Sequence, residues 1–402
     1  VRLPPLQLGP WPQGQDTFHS LTHAVFQPGE QRLARLSRAV NVDLDDEGWP
    51  KRRAGITLRV ALTGSRLFAN DSLILAQDDT SILSVDPSDW STTELVTGLS
   101  GDPVVFHEHA GQVFWTDGTS NGRITLAGTA LNWGCSVAPT PTLGTTAGDL
   151  RAGRYLVAAT FVDSSGVEHA ASKAAVATLD GTTDLTVNLS AIDANAAYVK
   201  IYCSKPNGTE LFFCSQVAVG ALPATITSVE VSEEPLRTQL LSPPIPADVI
   251  FSYRGLLMLG VENAVFPSYG LSHHLFDIAE NLETRPENVI AGAGLDTGFW
   301  TLTANGAFWT EGKTPESWET WQRSSLKFSA GALVISGEKI PKLQTSKNIA
   351  LFVSDRGLVA GLTDGTVVQL TPDQTTLDVA NKSSSIVYRI SGDLRQVLFT
   401  LE

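Results

Sequence analysis

Residues 349–370 read Ile-Ala-Leu-Phe-Val-Ser-Asp-Arg-Gly-Leu-Val-Ala-Gly-Leu-Thr-Asp-Gly-Thr-Val-Val-Gln-Leu. The apolar run Ile349 to Val353 ends at Ser354-Asp355-Arg356-Gly357, and Leu358 to Leu362 follows. Thr363-Asp364-Gly365-Thr366 turns the chain again and leads into Val367-Val368-Gln369-Leu370. Short apolar runs bounded by Gly, Asp and Ser read as strands, and their succession reads as a small antiparallel sheet.

The same formula recurs along the chain. Ser72 to Gln77 and Ser81 to Val85 flank Asp78-Asp79-Thr80. Pro103 to His107 and Gln112 to Thr116 flank an expected turn at Glu108-His109-Ala110-Gly111. Asp117-Gly118 and Asn121-Gly122 read as two more turns before Arg123 to Leu126. After residue 246 come Asp248 to Ser252 with Leu256 to Val261, Thr297 to Thr303 with Ala307 to Thr310, and Ser385 to Ile390 with Leu394 to Leu401. Units of about 35 to 50 residues, each a small antiparallel sheet, predict an all-β fold, a β-propeller of about six blades, with a stacked sandwich as the alternative.

Residues 141–241 interrupt this pattern. Thr140-Pro141 and Gly144-Thr145-Thr146-Ala147-Gly148 read as a linker. Leu156 to Val162, a turn at Asp163-Ser164-Ser165-Gly166, Leu185 to Leu189, and the pair Tyr198 to Cys203 and Leu211 to Val217 around Asn207-Gly208 read as strands. About seven short strands in such a span predict a β-sandwich. Ser242-Pro243-Pro244-Ile245-Pro246 closes it. The expected organisation is an arm over 1–37, propeller over 38–140, an inserted sandwich over 141–241, and propeller again over 242–402. The arm, with Pro4-Pro5, Pro10, Pro12 and Gly14, resists regular structure, apart from an expected helical turn near Glu30 to Leu36.

The totals agree with many short strands. The 402 residues include 34 Gly, 21 Pro and a single Met, and charged residues are 17%. The formal net charge is −14, so the chain lacks the basic footprint of a nucleic-acid binder. No apolar run approaches the ~18 residues of a membrane span, and the N-terminus has no secretory apolar segment. Cys135, Cys203 and Cys214 are too few and scattered for a disulfide scaffold or a zinc site. Cys203 and Cys214 face each other across the expected hairpin, either bonded or as buried free thiols, with free thiols preferred.

Candidate chemistry is sparse. His107 and His109 share a strand face, with Glu108 on the other, but no further ligand for a metal is identifiable, and the reading is polar strand-end histidines. His273-His274 diverge as neighbours in a strand. Asp43, Asp45, Glu47 and Gly48 begin like a calcium loop, yet its twelfth position is Ala54, so a turn is the reading. Trp300, Trp309, Trp318 and Trp321 with Phe299 and Phe308 read as core, with sugar stacking or a subunit contact as alternatives. Ser354-Asp355-Arg356-Gly357 lacks the spacing and Trp of the sialidase-type box, and no nucleophile elbow, phosphate loop or His-Glu-x-x-His segment occurs. The expectation is no enzyme, with no catalytic, cofactor or metal residues.

Residues 38–55 carry a more specific signal. Val40, Val42 and Leu44 alternate with polar residues, Asp45-Asp46-Glu47-Gly48 is turn chemistry, and Trp49 to Gly55 begins a return strand. Ala39, Asn41-Val42-Asp43, Gly48 and Arg52-Arg53-Ala54-Gly55 resemble the opening hairpin of tailed-bacteriophage tail proteins. With the propeller pattern, the chain is similar to the tail-nozzle proteins of short-tailed phages, and residues 141–241 resemble fibronectin type III or immunoglobulin-like modules. The resemblance implies a structural virion protein, assembled in the host cytoplasm, that forms a homo-oligomeric ring, a hexamer by preference, which gates DNA ejection. It implies contacts with tail adaptor or tube proteins, tail fibres and the host surface, and passage of DNA without specific binding. Arg52 and Arg53 read as charges for a neighbouring subunit or for solvent. The alternatives are a carbohydrate-binding or glycan-depolymerising propeller and a cellular protein-binding scaffold.

Overall fold

The computed structural model describes residues 42–44, 50–52, 59–63, 66–229, 232–371, 376–391 and 394–401. The arm over 1–37, with its helical turn near Glu30, and most of the 38–55 motif, including the turn at 45–49, lie outside the described residues. Within the motif, Val42–Leu44 and Pro50–Arg52 pair antiparallel, with Val42 opposite Arg52 and Leu44 opposite Pro50.

The fold is an all-β propeller. Among the described residues five blade sheets follow one another, four built from strands in simple succession and the third carrying one additional strand. Blade 1 holds Leu67–Ala69, Ile74–Asp78, Ser81–Val85 and Thr92–Thr97, and blade 2 holds Val105–His109, Gln112–Thr116, Asn121–Thr125 and Ala130–Leu131. Blade 3 runs Val249–Tyr253, Leu256–Val261 and Ala264–Tyr269, whose outer side takes both Ser272–Phe276 and Glu283–Thr284. Blade 4 holds Ala291–Gly294, Gly298–Thr303, Gly306–Glu311 and Glu319–Ser324, and blade 5 holds Leu333–Ser336, Asn348–Ser354, Gly357–Gly361 and Val367–Gln369. A C-terminal hairpin, Ser384–Ser391 with Leu394–Leu401, comes last. The first strands of blades 2 to 5 touch one another in order, which puts the first strand of each blade nearest a common axis.

Why the blade strands are apolar on both faces follows from this arrangement. Blades 2 to 5 each pack on a different neighbour on each side, so period-two alternation is replaced by continuous burial. In blade 5, Ala350 and Phe352 enter the core shared with Trp300 and Trp309 of blade 4. Ile349, Leu351 and Val353 point the other way and pack with Ile386, Tyr388, Val397 and Phe399 of the C-terminal hairpin. Blade 4 divides likewise: Trp300 and Leu302 face blade 5, whereas Phe299 packs with Phe251 and Met258 of blade 3. The aromatic cluster is therefore blade packing, with Trp300 and Trp309 fully buried and their rings 5.1 Å apart.

Between blades 2 and 3 the chain builds a two-sheet sandwich. One sheet is Thr142–Ala147, Thr183–Asn188 and Ala224–Ile226; the other centres on Gly153–Asp163 paired with Ala196–Ser204, followed by Leu211–Ala218. Leu185, Val187 and Ile226 from the first sheet meet Tyr155, Val157, Phe161, Val199 and Ile201 from the second in one core.

Three local expectations need correction. The expected linker at Gly144–Gly148 is largely a strand, Thr142–Ala147. Its glycines answer a packing demand: a Cβ at Gly144 would come within 2.6 Å of the Thr186 hydroxyl, and one at Gly148 would strike the Asp184 carboxyl. Asn121-Gly122 is no turn but the start of the third strand of blade 2, where Gly122 lies opposite Trp115 and makes room for its indole. The turn expected over Glu108 to Gly111 is confined to Ala110-Gly111, both at positive φ (49° and 72°), so the strand extends through His109. A two-residue turn with positive φ at both positions matches strand twist and needs no further loop.

Candidate functional site

The most unusual site is the joint where the sandwich meets blades 2 and 3. Asp163 ends the long sandwich strand and its Oδ1 accepts the backbone N–H groups of Ser165 (2.8 Å) and Val167 (3.0 Å), which fixes the turn. Glu168 and His169 follow, starting the strand Glu168–Ala171. This turn sits against the segment leaving blade 2, Trp133 to Cys135, and against Ser272–Phe276 of blade 3.

Directional bonds lock the three parts. Trp133 Nε1 donates to the His273 carbonyl at 2.8 Å, with its ring 4.7 Å from Phe114. His274 Nε2 donates to the Glu168 carbonyl at 2.9 Å. The Cys135 N–H donates to His169 Nδ1 at 3.3 Å, which places the proton of the neutral His169 ring on Nε2, 3.5 Å from Asp163 Oδ2. Gly134, at φ 123°, takes a conformation that other residues avoid, and a Cβ there would lie 3.3 Å from His169 Nδ1. Arg123 of blade 2 reaches Asp163 at 4.0 Å. Ala170, Leu241 and Leu275 add a small apolar contact, and Ser242 and Phe276 exchange both backbone hydrogen bonds where the chain re-enters the propeller.

Five histidine rings line this joint in a chain. His107 and His109 are 6.5 Å apart, His109 and His273 are 4.4 Å apart edge to face, and His274 and His169 are 4.7 Å apart. His273 and His274, adjacent in a strand, point to opposite sides, one toward blade 2 and the other toward the sandwich. His107 and His109 lie at the end of the strand Val105–His109, and the ring of His109 touches that of His273 in blade 3. Sequence spacing offers no cue for this, because His109 and His273 are joined only by the sheet arrangement.

Burial pushes all five rings toward the neutral form. His107 falls to about 4 through loss of water, with His109 adding repulsion. His273 also falls to about 4, again through burial first and then His109 and His274. His109, His169 and His274 are lowered by burial too, opposed by the Gly255 carbonyl, Asp163 and the Glu168 carbonyl respectively. Burial raises the Cys135 thiol to about 12, with Asp193 and Asp163 contributing. Buried His107 Nε2, His169 Nε2 and His273 Nδ1 lack hydrogen-bond partners. Among the described residues, no group of three His, Cys, Asp or Glu is placed to hold a metal ion. The arrangement is a neutral, tightly packed joint that resists protonation.

The sequence-derived cysteine pair is found where the hairpin placed it. Cys203 and Cys214 are free thiols in the sandwich core, and hydrogen bonding between them raises Cys203 and lowers Cys214. A bulge opposite Ile201 and Tyr202 inserts Cys214 beside its partner.

No protein-family model matches the chain, and no curated protein matches it. Among solved structures, the chain is similar to Sqt1 of Saccharomyces cerevisiae at 8% identity and TM-score 0.28, over 71% of this chain and 68% of that one. AztD from Citrobacter koseri matches at 11% identity and TM-score 0.29, over 78% and 87%. Hsv2 of Kluyveromyces lactis matches at 8% and TM-score 0.25, over 82% and 94%. At these values the likenesses carry no argument, and the fold rests on its own strand order.

Proposed function

We propose that the chain is a structural subunit of a tailed-phage particle, a tail-nozzle component that assembles into a ring around the DNA ejection channel. The supporting observation is the joint. The sandwich is fastened to the propeller by the His274–Glu168 and Cys135–His169 hydrogen bonds and the Arg123–Asp163 pair, and the two parts form a stiff block suited to transmitting load. The Asn41-Val42-Asp43 hairpin and the charge of −14 agree with this reading: an acidic ring repels a phosphate backbone and favours sliding over binding.

Six subunits around a channel, the sandwich turned outward toward tail fibres or host surface, would do mechanical work without making or breaking bonds. Cryo-electron microscopy of the assembled particle tests this. The expected result is a ring of this chain on the tail axis with an acidic lumen; a basic lumen, or density away from the channel, would defeat it.

A further inference from the structure

The two ends of the described chain hold half-sheets. Blades 1, 2, 4 and 5 each have four strands, and blade 3 has five. The N-terminal hairpin, Val42–Leu44 with Pro50–Arg52, and the C-terminal hairpin, Ser384–Ser391 with Leu394–Leu401, are separate two-stranded sheets. Ser384–Ser391 holds the inner position of a sixth blade. Ser383 bridges Ala330 in parallel, just ahead of the inner strand of blade 5, and the Ala330 N–H donates to the Lys382 carbonyl at 2.9 Å. Leu394–Leu401 is then the second strand, and among the described residues its outer edge pairs with nothing. An eight-residue strand with an open edge invites pairing.

Three features identify what fits that edge. Pro50 lacks an N–H and suits an outermost strand, which leaves Val42–Leu44 as the strand that pairs inward. Short outer strands like Pro50–Arg52 occur in blades 2 and 5, at Ala130–Leu131 and Val367–Gln369, while those of blades 1 and 4 have six residues. The connection from the N-terminal hairpin to blade 1, residues 53–66, equals in length the connection from blade 5 to the C-terminal hairpin, residues 370–383. Both would run from the outer strand of one blade to the inner strand of the next.

The faces on either side of the gap are also complementary. In the C-terminal hairpin, Ile386 and Tyr388 pack on blade 5, while Val387 faces away and is 56% exposed. In the inner strand of blade 1, Phe68 packs toward blade 2, while Leu67 points the other way and is 72% exposed. An apolar side chain thus looks outward from each end of the array, on the faces that ring closure would bring together.

We propose that the N-terminal hairpin docks in the same chain on the outer edge of Leu394–Leu401. The sixth blade then reads, from the axis outward, Ser384–Ser391, Leu394–Leu401, Val42–Leu44 and Pro50–Arg52, and it closes the ring against Leu67. The two chain ends are a clasp: release of the hairpin opens the propeller between blades 6 and 1.

Amide hydrogen exchange on the full chain, read by mass spectrometry, tests this. The outward-facing amides of 394–401 are expected to exchange at least about tenfold more slowly than those of an open edge. Asp43→Pro, which breaks the pairing strand, is expected to remove that protection while leaving residues 196–204 of the sandwich unchanged. Fast exchange at 394–401 in the unaltered protein, or protection indifferent to Asp43→Pro, would overturn the clasp. If Asp43→Pro does not fold, exchange in the unaltered chain decides alone. Photo-cross-linking of mixed 14N and 15N chains that carry photo-leucine in place of leucine, at Leu394, Leu398 and Leu401 among others, separates the two sources of the hairpin. Single-isotope cross-links between 42–52 and 394–401 support the proposal, and mixed-isotope ones would assign the edge to a second copy and defeat it.

Discussion

The seam between blades 4 and 5 and the joint between blades 2 and 3 and the sandwich are both buried, yet they are made of opposite materials. The seam is Trp300, Trp309, Leu302, Phe352 and Val359, and its two indoles each have a partner: Trp300 Nε1 donates to the Leu362 carbonyl at 3.1 Å and Trp309 Nε1 to Glu311 Oε2 at 3.4 Å. The joint contains five imidazoles, a carboxylate and a guanidinium around Trp133. A seam of hydrocarbon is held by area and fit, and is indifferent to pH. A joint of neutral histidines is held by bonds whose donors and acceptors change on protonation. The protein is therefore expected to be robust at the seam between blades 4 and 5 and conditional at the joint between blades 2 and 3 that carries the sandwich.

Breaking the seam should have the largest effect. Trp300→Ala removes a fully buried indole and is expected to cost about 3–5 kcal/mol, read as a lower urea midpoint. The joint should answer next, to acid. The folded values of His107 and His273 lie near 4, below the ordinary value of 6.5, so the unfolded chain takes up protons first. Stability is complete above about pH 6.5 and declines as pH falls toward about 4. Urea midpoints measured across this range should drop, and replacing both His107 and His273 with Phe should flatten the slope; an unchanged slope would break the contrast between joint and seam.

Smaller effects sharpen the comparison. Gly294→Ala puts a Cβ against the Ser252 carbonyl where the inner strands of blades 3 and 4 press together, at an expected cost of about 1–3 kcal/mol in thermal or urea unfolding. Trp133→Phe keeps most of the joint's area but deletes the donor to the His273 carbonyl. About 1 kcal/mol is expected, with proteolysis near residues 133–142 rising before the blades melt. The least effect is chemical: at pH 8, native Cys135 should stay unlabelled by a thiol reagent and react fully on unfolding, because burial keeps its thiol protonated.

The blades were legible because their signals are local. Residues 349–370 announce three strands and two turns, and the structure places strands at Asn348–Ser354, Gly357–Gly361 and Val367–Gln369. Asn207-Gly208 marked its hairpin for the same reason, with Asn207 at φ 61°. Glycine misled where its role was contact rather than turning. Gly122, Gly144 and Gly148 look like punctuation in one dimension, but each leaves room for a side chain of a neighbouring strand. The histidine joint was illegible for a different reason. His107, His109, His169, His273 and His274 come from three separate sheets, and no spacing along the chain encodes their meeting.

By itself, the sequence determined the all-β character and the hairpin units, because turn chemistry and short apolar runs act over a few residues. Only the tertiary structure decided which glycines are packing sites, where the sandwich is fastened and which rings lose their water. Those properties depend on distances between strands far apart along the chain, and desolvation exists only once the sheets have come together.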